Sequence, residues 1–415
     1  MHRRRAQLRD SGLIMSASLF DRVELAPRDP ILGLNEAFAT DSRSNKVNLG
    51  VGVYYDEGGR IPLLRAVEAV ERALVQAAQP RGYLPIDGIA AYDADVQQML
   101  FGRDSPLIAA GRLVTAQALG GTGALKIGAD LLKRIAPDAK VLISDPSWEN
   151  HRALYEGAGF VVEQYPYFDA ATQGVNFTGM KATLTAAARG TIVVLHACCH
   201  NPTGVDLSEA QWRELVPLVA ERKLVPILDI AYQGFGDGIE ADAMAVRLFA
   251  NAGLTCFIAS SFSKSFSLYG ERVGAMTIVT AGKDESARVL SQLKRTIRSN
   301  YSTPPTHGGA MVAAVLASAE LRKLWEQELA EMRDRIKQMR QRLVDGLKAR
   351  GVKRDFSFVL RQRGMFSYTG LTSAQVERLR SEFGIYAVST GRICVAALNS
   401  NNVDYVCASI ASVLN

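Results

Sequence analysis

From about residue 63 to residue 320, short apolar runs alternate with stretches of helical periodicity. Residues 141–144, 160–163, 192–196, 225–230 and 275–279 have the length and branched composition of strands. Several are apolar on both faces, as strands buried between two layers of helices must be. The alternation predicts an α/β fold built on a mostly parallel sheet. In such a sheet, functional residues belong at the carboxyl ends of the strands.

Near residue 320 the pattern changes. Trp325, Leu329, Met332, Ile336, Met339, Leu343 and Leu347 recur at spacings of three and four through a charged stretch. This reads as one long amphipathic helix that leads into a small C-terminal α/β unit. A dimeric coiled coil is the competing reading, but the stripe is short. In the C-terminal unit, residues 385–389 and 393–396 read as strands on either side of the turn at Gly391 and Arg392. The chain then divides into an extension over 1–14 expected to be disordered, an arm with part of a small domain over 15–62, a large domain over 63–331 and the small domain over 332–415.

Composition changes this picture little. The 48% hydrophobic and 22% charged content is ordinary for a globular enzyme, and no apolar run is long enough to span a bilayer. The net charge of +6 owes +3 to residues 1–14, where Arg3, Arg4, Arg5 and Arg9 stand against Asp10. The remainder is nearly neutral, which argues against nucleic acid as a partner. The basic start has the composition of a transit peptide but no apolar secretory core, and Met15 offers an alternative start. We therefore expect an extension or tail and a cytoplasmic protein. Five cysteines, odd in number and mostly within apolar runs, read as buried free thiols; neither they nor the five histidines show metal-ligand spacing.

The chemistry concentrates around Lys264, in the segment 261–272 that follows the apolar run 254–260. A lysine at a strand end, partly desolvated and flanked by Ser261, Ser263 and Arg272, suits Schiff-base formation with an aldehyde that carries a phosphate. A solvated surface lysine is the ordinary alternative. Gly120-Gly-Thr-Gly123 opens a helical stretch, where backbone N–H groups and the helix dipole can meet a phosphate. A helix cap explains that tetrad equally well, and it completes neither nucleotide fingerprint.

Asp229 lies inside an apolar strand, where a carboxylate is costly unless paired. A structural arginine would pair it; so would a protonated pyridine nitrogen, which Asp229 would keep cationic while Tyr232 donates to the ring oxygen. Asn201, before Pro202, could reach the same oxygen or simply form a turn. Trp148 is placed to stack on a flat ring or to fill a core. Arg392 has the planar fork that suits a carboxylate, although most arginines are solvated.

The order of these pieces carries more than any one of them. Asn-Leu-Gly-Val-Gly-Val-Tyr54, Tyr-Leu-Pro-Ile-Asp-Gly88, Gly-Gly-Thr-Gly123, Ser-Trp-Glu-Asn-His151, Cys-Cys-His-Asn-Pro-Thr-Gly204, Asp-Ile-Ala-Tyr-Gln-Gly-Phe235, Ser-Phe-Ser-Lys264, Asn-Tyr-Ser-Thr-Pro-Pro305 and Gly-Met-Phe-Ser367 run in one register. From about residue 17 to the end, the chain resembles the aspartate and aromatic-amino-acid aminotransferases of the class I pyridoxal-phosphate family. The resemblance implies a fold-type-I transferase whose large domain binds pyridoxal 5′-phosphate. It implies transamination between an amino acid and 2-oxoglutarate, by a ping-pong cycle through pyridoxamine phosphate.

By the same resemblance Lys264 would carry the cofactor as a Schiff base and shuttle the α-proton. Asp229 would pair with the pyridine nitrogen, Asn201 and Tyr232 with the ring oxygen, and Trp148 with the ring face. Gly121, Thr122, Ser261, Ser263 and Arg272 would hold the phosphate, joined by Tyr83 of a second subunit in a homodimer. Arg392 would take the substrate α-carboxylate near Gly52, and Arg298, again from the second subunit, the distal carboxylate of a dicarboxylic substrate. Tyr55, Ile61, Glu149 and the run ending at Gly270 resemble the bacterial tyrosine branch. Val53 and Thr122 resemble the aspartate branch, and Thr303 matches neither. An aromatic preference is therefore expected, with a narrow aspartate aminotransferase as the alternative.

Two rivals remain. A β-lyase or decarboxylase on the same cofactor would keep Lys264 and Asp229 but have less use for both Arg298 and Arg392. An aminotransferase-like module of a transcriptional regulator would need an appended DNA-binding domain, which the residues before Met15 are too few to form.

Overall fold

The computed structural model describes residues 18–26 and 31–414. The extension expected over 1–14 lies outside them. In chain order the strands are β1 (Val47–Asn48), β2 (Leu113–Leu119), β3 (Lys140–Asp145), β4 (Val161–Pro166), β5 (Phe168–Asp169), β6 (Gly174–Val175), β7 (Ile192–His196), β8 (Val225–Ile230), β9 (Cys256–Ser261), β10 (Val273–Val279), β11 (Phe366–Tyr368), β12 (Ile385–Tyr386) and β13 (Arg392–Cys394). Seven of them form the main sheet, in the order β2-β10-β9-β8-β7-β3-β4. Only β10 runs against its neighbours; all other pairs in this sheet are parallel.

Helices cover the sheet because its central strands leave no face for water. Every residue of β7, β9 and β10 is buried. The helix Gly120–Ile135 lies on β9 and β10 so closely that a Cβ on Gly128 would stand 2.6 Å from Met276 Cε. Across the chain, Ser208 and Gln211 close a capping box at the start of the helix Glu209–Arg222, which buries Trp212.

The long amphipathic helix spans Ala319–Ala349, 31 residues, with Ser318 accepting from Leu321 N as its cap. All seven stripe residues are buried, each stabilising the packing by roughly 1.5–3 kcal/mol. Glu328 on this helix accepts from the backbone N–H groups of Arg65 and Ala66 and so caps the helix Arg65–Ala77.

Two sequence expectations need correction. The strands around Gly391 are shorter than the expected 385–389 and 393–396, at Ile385–Tyr386 and Arg392–Cys394, and each pairs with a segment elsewhere: β12 with β1 and β13 with β11. The strand predicted at 275–279 begins two residues earlier and is the reversed one. That reversal matters, because it brings residue 272 to the same edge as the carboxyl ends of the parallel strands.

Candidate active site

That edge holds a cavity of about 400 Å³. Gly121 and Thr122 reach it from the end of β2, Trp148 from β3, His196 and Asn201 from β7, Asp229 and Tyr232 from β8, and Ser261, Ser263 and Lys264 from β9. Arg272 enters just before β10, and Gly52, Phe366 and Arg392 come from segments outside the main sheet.

Lys264 is partly buried, with Nζ 4.9 Å from the centroid of the Tyr232 ring. Burial pulls its pKa from 10.5 down to about 8; Asp229 resists that shift and Arg272 adds to it. Burial thus brings the neutral amine, the form that acts as nucleophile or base, closer to physiological pH.

Asp229 is 5% exposed, and its partner among the described residues is His151, whose Nε2 donates to Oδ2 at 3.0 Å. The arginine that the strand alone suggested is not what holds it. Burial pushes the carboxyl upward, but the His151 bond and the charges of His151, His196 and Lys264 outweigh it and keep the pKa below the ordinary value. On its other side His151 Nδ1 meets Ser147 Oγ at 2.8 Å. His196 packs 4.9 Å from the His151 ring, has no hydrogen-bond partner for either ring nitrogen among the described residues, and is pushed by burial to about 3. The array therefore presents an ionised carboxylate held by the His151 ring.

Opposite this pair the backbone forms an anion cradle. Gly120 has φ +69°, and a Cβ there would stand 2.6 Å from Arg272 Nη2, so the guanidinium lies directly over the helix start. Arg272 Nη1 donates to Ser263 Oγ at 3.4 Å and to Tyr269 O at 3.0 Å. Ser263 N donates to Ser261 Oγ at 3.3 Å, and Gly121 approaches Ser261 closely enough that a Cβ would lie 3.1 Å from its Cβ. Two hydroxyls, one guanidinium and the N-terminus of a 16-residue helix converge on one spot.

Arg392 is 2% exposed. Its Nη1 donates to Asn201 Oδ1 at 3.0 Å and its Nη2 to Gly50 O at 2.7 Å, while Nε has no partner among the described residues. The guanidinium sits 4.4 Å from the Phe366 ring centroid, and only a glycine at position 52 allows that ring its place: a Cβ there would lie 2.6 Å from Phe366 Cζ.

Tyr83 and Arg298 stand apart from the other sequence-chosen residues. Tyr83 is 97% exposed, and Arg298, also exposed, donates to Ser302 Oγ; neither lines the cavity. Conversely, the sequence reading passed over His151, His196, Phe366, Tyr269, Ile31 and Val51, although all but His151 line the cavity and His151 holds Asp229. His151 and Phe366 lay within recognised motifs, and His196 ends a strand that points at the site. Their roles depend on proximity across strands, which spacing along the chain does not encode.

Among the described residues, two clusters of His, Cys and Asp have ligand atoms within 4.8 Å of one another. In the first, His151 and Asp229 are already committed to each other. In the second, Asp242 accepts from the backbone N–H groups of Gly234, Gly236 and Asp237, and Cys198 is pushed well above the ordinary thiol value by its contact with Cys199 and by burial. Neither set offers the deprotonated, uncommitted donors that a metal requires. Among the described residues, no helix is long and apolar enough to cross a membrane.

A half-buried lysine of lowered pKa, an ionised carboxylate, an anion cradle and a buried arginine at the carboxyl edge of one α/β sheet define a transferase-type site for a phosphorylated cofactor. Residues 44–410 match the class I and II aminotransferases, and the chain belongs to that family. It is 68% identical over 397 residues to an aspartate aminotransferase of Pseudomonas aeruginosa, covering 96% of this chain and all of that protein. It is 51% identical over 399 residues to an aromatic-amino-acid aminotransferase of Escherichia coli, covering 95% of this chain and all of that one. The crystal structure of an aromatic-amino-acid aminotransferase from Burkholderia pseudomallei, covalently bound to pyridoxal phosphate, superposes with a TM-score of 0.95 at 73% identity, covering 96% of this chain and all of the other.

Proposed function

We propose that the chain is a pyridoxal-phosphate-dependent aminotransferase that exchanges the amino group of aromatic amino acids, and of aspartate, with 2-oxoglutarate. The observation that carries this reading is the pairing of Lys264, with its pKa lowered to about 8, and ionised Asp229 in one cavity of about 400 Å³. When bound, pyridoxal phosphate supplies an electron-accepting ring for the pair left behind as the amino acid loses its α-proton.

The residues fit that group. The cradle of Gly121, Thr122, Ser261, Ser263 and Arg272 would anchor its phosphate. Asp229 would hold a proton on the ring nitrogen, Tyr232 and Asn201 would donate to the ring oxygen, and Trp148 would cover the ring. Lys264 Nζ would attach the cofactor, accept the substrate α-proton and deliver it to the cofactor's C4′ carbon. Arg392, with an uncommitted Nε and beside Gly52, would grip the α-carboxylate.

A homodimer would complete the site, with Tyr83 and Arg298 supplied by the second subunit to the phosphate and to a distal carboxylate. In support, Tyr83 and the side chains of Leu19, Phe20, Val23 and Leu25 are all strongly exposed in the single chain. We read residues 63–331 as the large cofactor-binding domain, and 332–415 with part of 15–62 as the small one; the pairing of β1 with β12 supports this.

The relatives' names divide between aspartate and aromatic substrates, so specificity rests on the pocket. Ile31, Val51, Leu125 and Phe366 give it apolar walls, which favours aromatic side chains. Stopped-flow half-reactions with tyrosine, phenylalanine and aspartate test both levels. No spectral change with any of the three would refute transamination, and a marked preference for aspartate would refute the aromatic assignment.

A further inference from the structure

Arg340 lies on the long helix Ala319–Ala349, 2% exposed, and has no carboxylate partner among the described residues. It does not line the catalytic cavity. A buried cation without a counterion is costly, and an apolar side chain of similar volume would fill the space without that penalty. What a guanidinium alone can do is gather several acceptors in one plane. Nη1 donates to Val359 O at 3.2 Å and to Ser367 Oγ; Nη2 donates to Gly364 O at 2.8 Å and to Phe366 O at 2.6 Å. All four acceptors belong to the stretch that leads into and forms β11.

That stretch supports Arg392 from two directions. Tyr368 of β11 is the register partner of Arg392 on β13, and the Phe366 ring lies 4.4 Å beneath the Arg392 guanidinium. The Phe366 carbonyl that Arg340 grips also abuts Gly204, where a Cβ would come within 2.6 Å of it. Arg363 N donates to Gly204 O at 2.6 Å, so the same clamp docks the loop bearing Asn201, itself bonded to Arg392. Nearer its start, the helix is tied to the lysine loop: Trp325 Nε1 donates to Ser265 O at 2.7 Å, and its ring stacks on Phe266 at 4.5 Å.

We propose that Arg340 is a positioning residue: through the backbone and ring of Phe366 it sets the orientation of Arg392, and the helix that carries it keeps that setting aligned with the Lys264 loop. This rests on the reading that Arg392 binds the substrate α-carboxylate. Arg340 touches neither substrate nor cofactor, so its effect passes through one chemical group of the substrate and should be visible there alone.

The test compares phenylalanine with phenethylamine, which keeps the ring and amine but lacks the carboxylate, in single-turnover half-reactions of the holoenzyme. Arg340→Lys keeps the charge, but one ammonium cannot span the four acceptors. It is expected to lower the second-order rate constant for phenylalanine by about tenfold to a hundredfold, the range for misplacing a distant support by an ångström or less, while leaving phenethylamine nearly unchanged. Ser367→Ala removes one acceptor with little risk to folding and should act in the same direction, more weakly. In an Arg392→Leu background the Arg340→Lys effect should vanish.

Equal losses for both amines, or an Arg340→Lys effect that persists without Arg392, would overturn the proposal. Arg392→Leu alone separates the two layers. If it discriminates between the amines while the Arg340 and Ser367 variants do not, Arg340 has no positioning role and the carboxylate reading stands. If it fails to discriminate, the carboxylate reading itself is wrong and this inference falls with it.

Discussion

His151 Nε2 stands 3.0 Å from Asp229 Oδ2, and that contact decides which of two opposing influences governs the carboxylate. Burial alone would raise the Asp229 pKa; the hydrogen bond and neighbouring positive charge reverse the direction. A carboxyl depressed in the folded state adds stability above its unfolded pKa, near the ordinary 3.8, and loses it as pH falls through the lower folded value. At neutral pH the group is therefore ionised, as a partner for a cationic ring nitrogen must be.

His151→Leu removes the donor and leaves burial opposed only by the charges of His196 and Lys264, so the Asp229 pKa should rise. The acid limb of the kcat/KM profile is expected to move to higher pH, each unit corresponding to about 1.36 kcal/mol of lost preference for the carboxylate. Cofactor affinity should fall with it. A pH–rate profile superimposable on that of the wild type would show that His151 does not control Asp229.

Lys264→Met should abolish turnover, since the lysine supplies both the attachment point and the proton carrier, and a positioned acid–base group alone contributes about 10²–10⁴-fold. The same change should stabilise the cofactor-free protein. Burial lowers the lysine pKa from 10.5 to about 8, so below pH 8 the folded state carries a charge it disfavours; that destabilisation fades as pH rises past 10.5. Thermal melts at pH 7 and pH 10.5 read the difference. A Tm gain at pH 10.5 as large as at pH 7 would contradict the shifted amine.

Gly120→Ala would place a Cβ 2.6 Å from Arg272 Nη2 at a residue with φ +69°. The left-handed backbone alone costs an alanine about 1–2 kcal/mol, and the guanidinium must also move away from the cradle. We expect roughly tenfold weaker pyridoxal phosphate binding to the cofactor-free protein, with a lowered Tm. Fluorescence titration with the cofactor checks this; unchanged affinity would mean that Arg272 does not hold the phosphate.

Much of this architecture was legible in the chain itself. The strands ending near His196, Asp229 and Ser261 are apolar on both faces, and each is followed at once by polar residues, so burial and chemistry are both written locally. The amphipathic stripe from Trp325 to Leu347 is likewise a local signal. What could not be read was pairing between distant segments. β12 joins β1 across more than half the chain, and Asp229 takes His151 from the helix Glu149–Gly157 that follows β3, because register and proximity depend on the folded sheet. Arg340 was invisible for the same reason: three of its four partners are backbone carbonyls, which leave no mark on side-chain identity.

If Tyr83 and Arg298 serve the neighbouring subunit, inactive variants should complement each other. A Lys264→Ala subunit and an Arg298→Asp subunit each lack one group, yet a mixed dimer contains one site with both groups intact. Co-refolding the two should restore part of the aspartate activity, with sedimentation confirming the dimer. Full activity in a sedimenting monomer would exclude shared sites.

The two arginines should separate substrates by class. Every amino acid has an α-carboxylate, so Arg392→Leu should impair phenylalanine, tyrosine, aspartate and glutamate alike. Arg298 is exposed and bonded only locally to Ser302 among the described residues, which leaves it free to turn toward a distal carboxylate or away from an aromatic ring. A hydrogen bond to a charged group is worth about 1.5–3 kcal/mol. At roughly tenfold per 1.36 kcal/mol, Arg298→Leu should cost aspartate and glutamate about one to two decades in kcat/KM. Phenylalanine and tyrosine should lose little or improve, because an apolar wall replaces a charge that had to be displaced. Steady-state kcat/KM for the four amino acids in both variants decides the matter. Equal losses across acidic and aromatic substrates in Arg298→Leu would mean that the distal carboxylate is held by some other group.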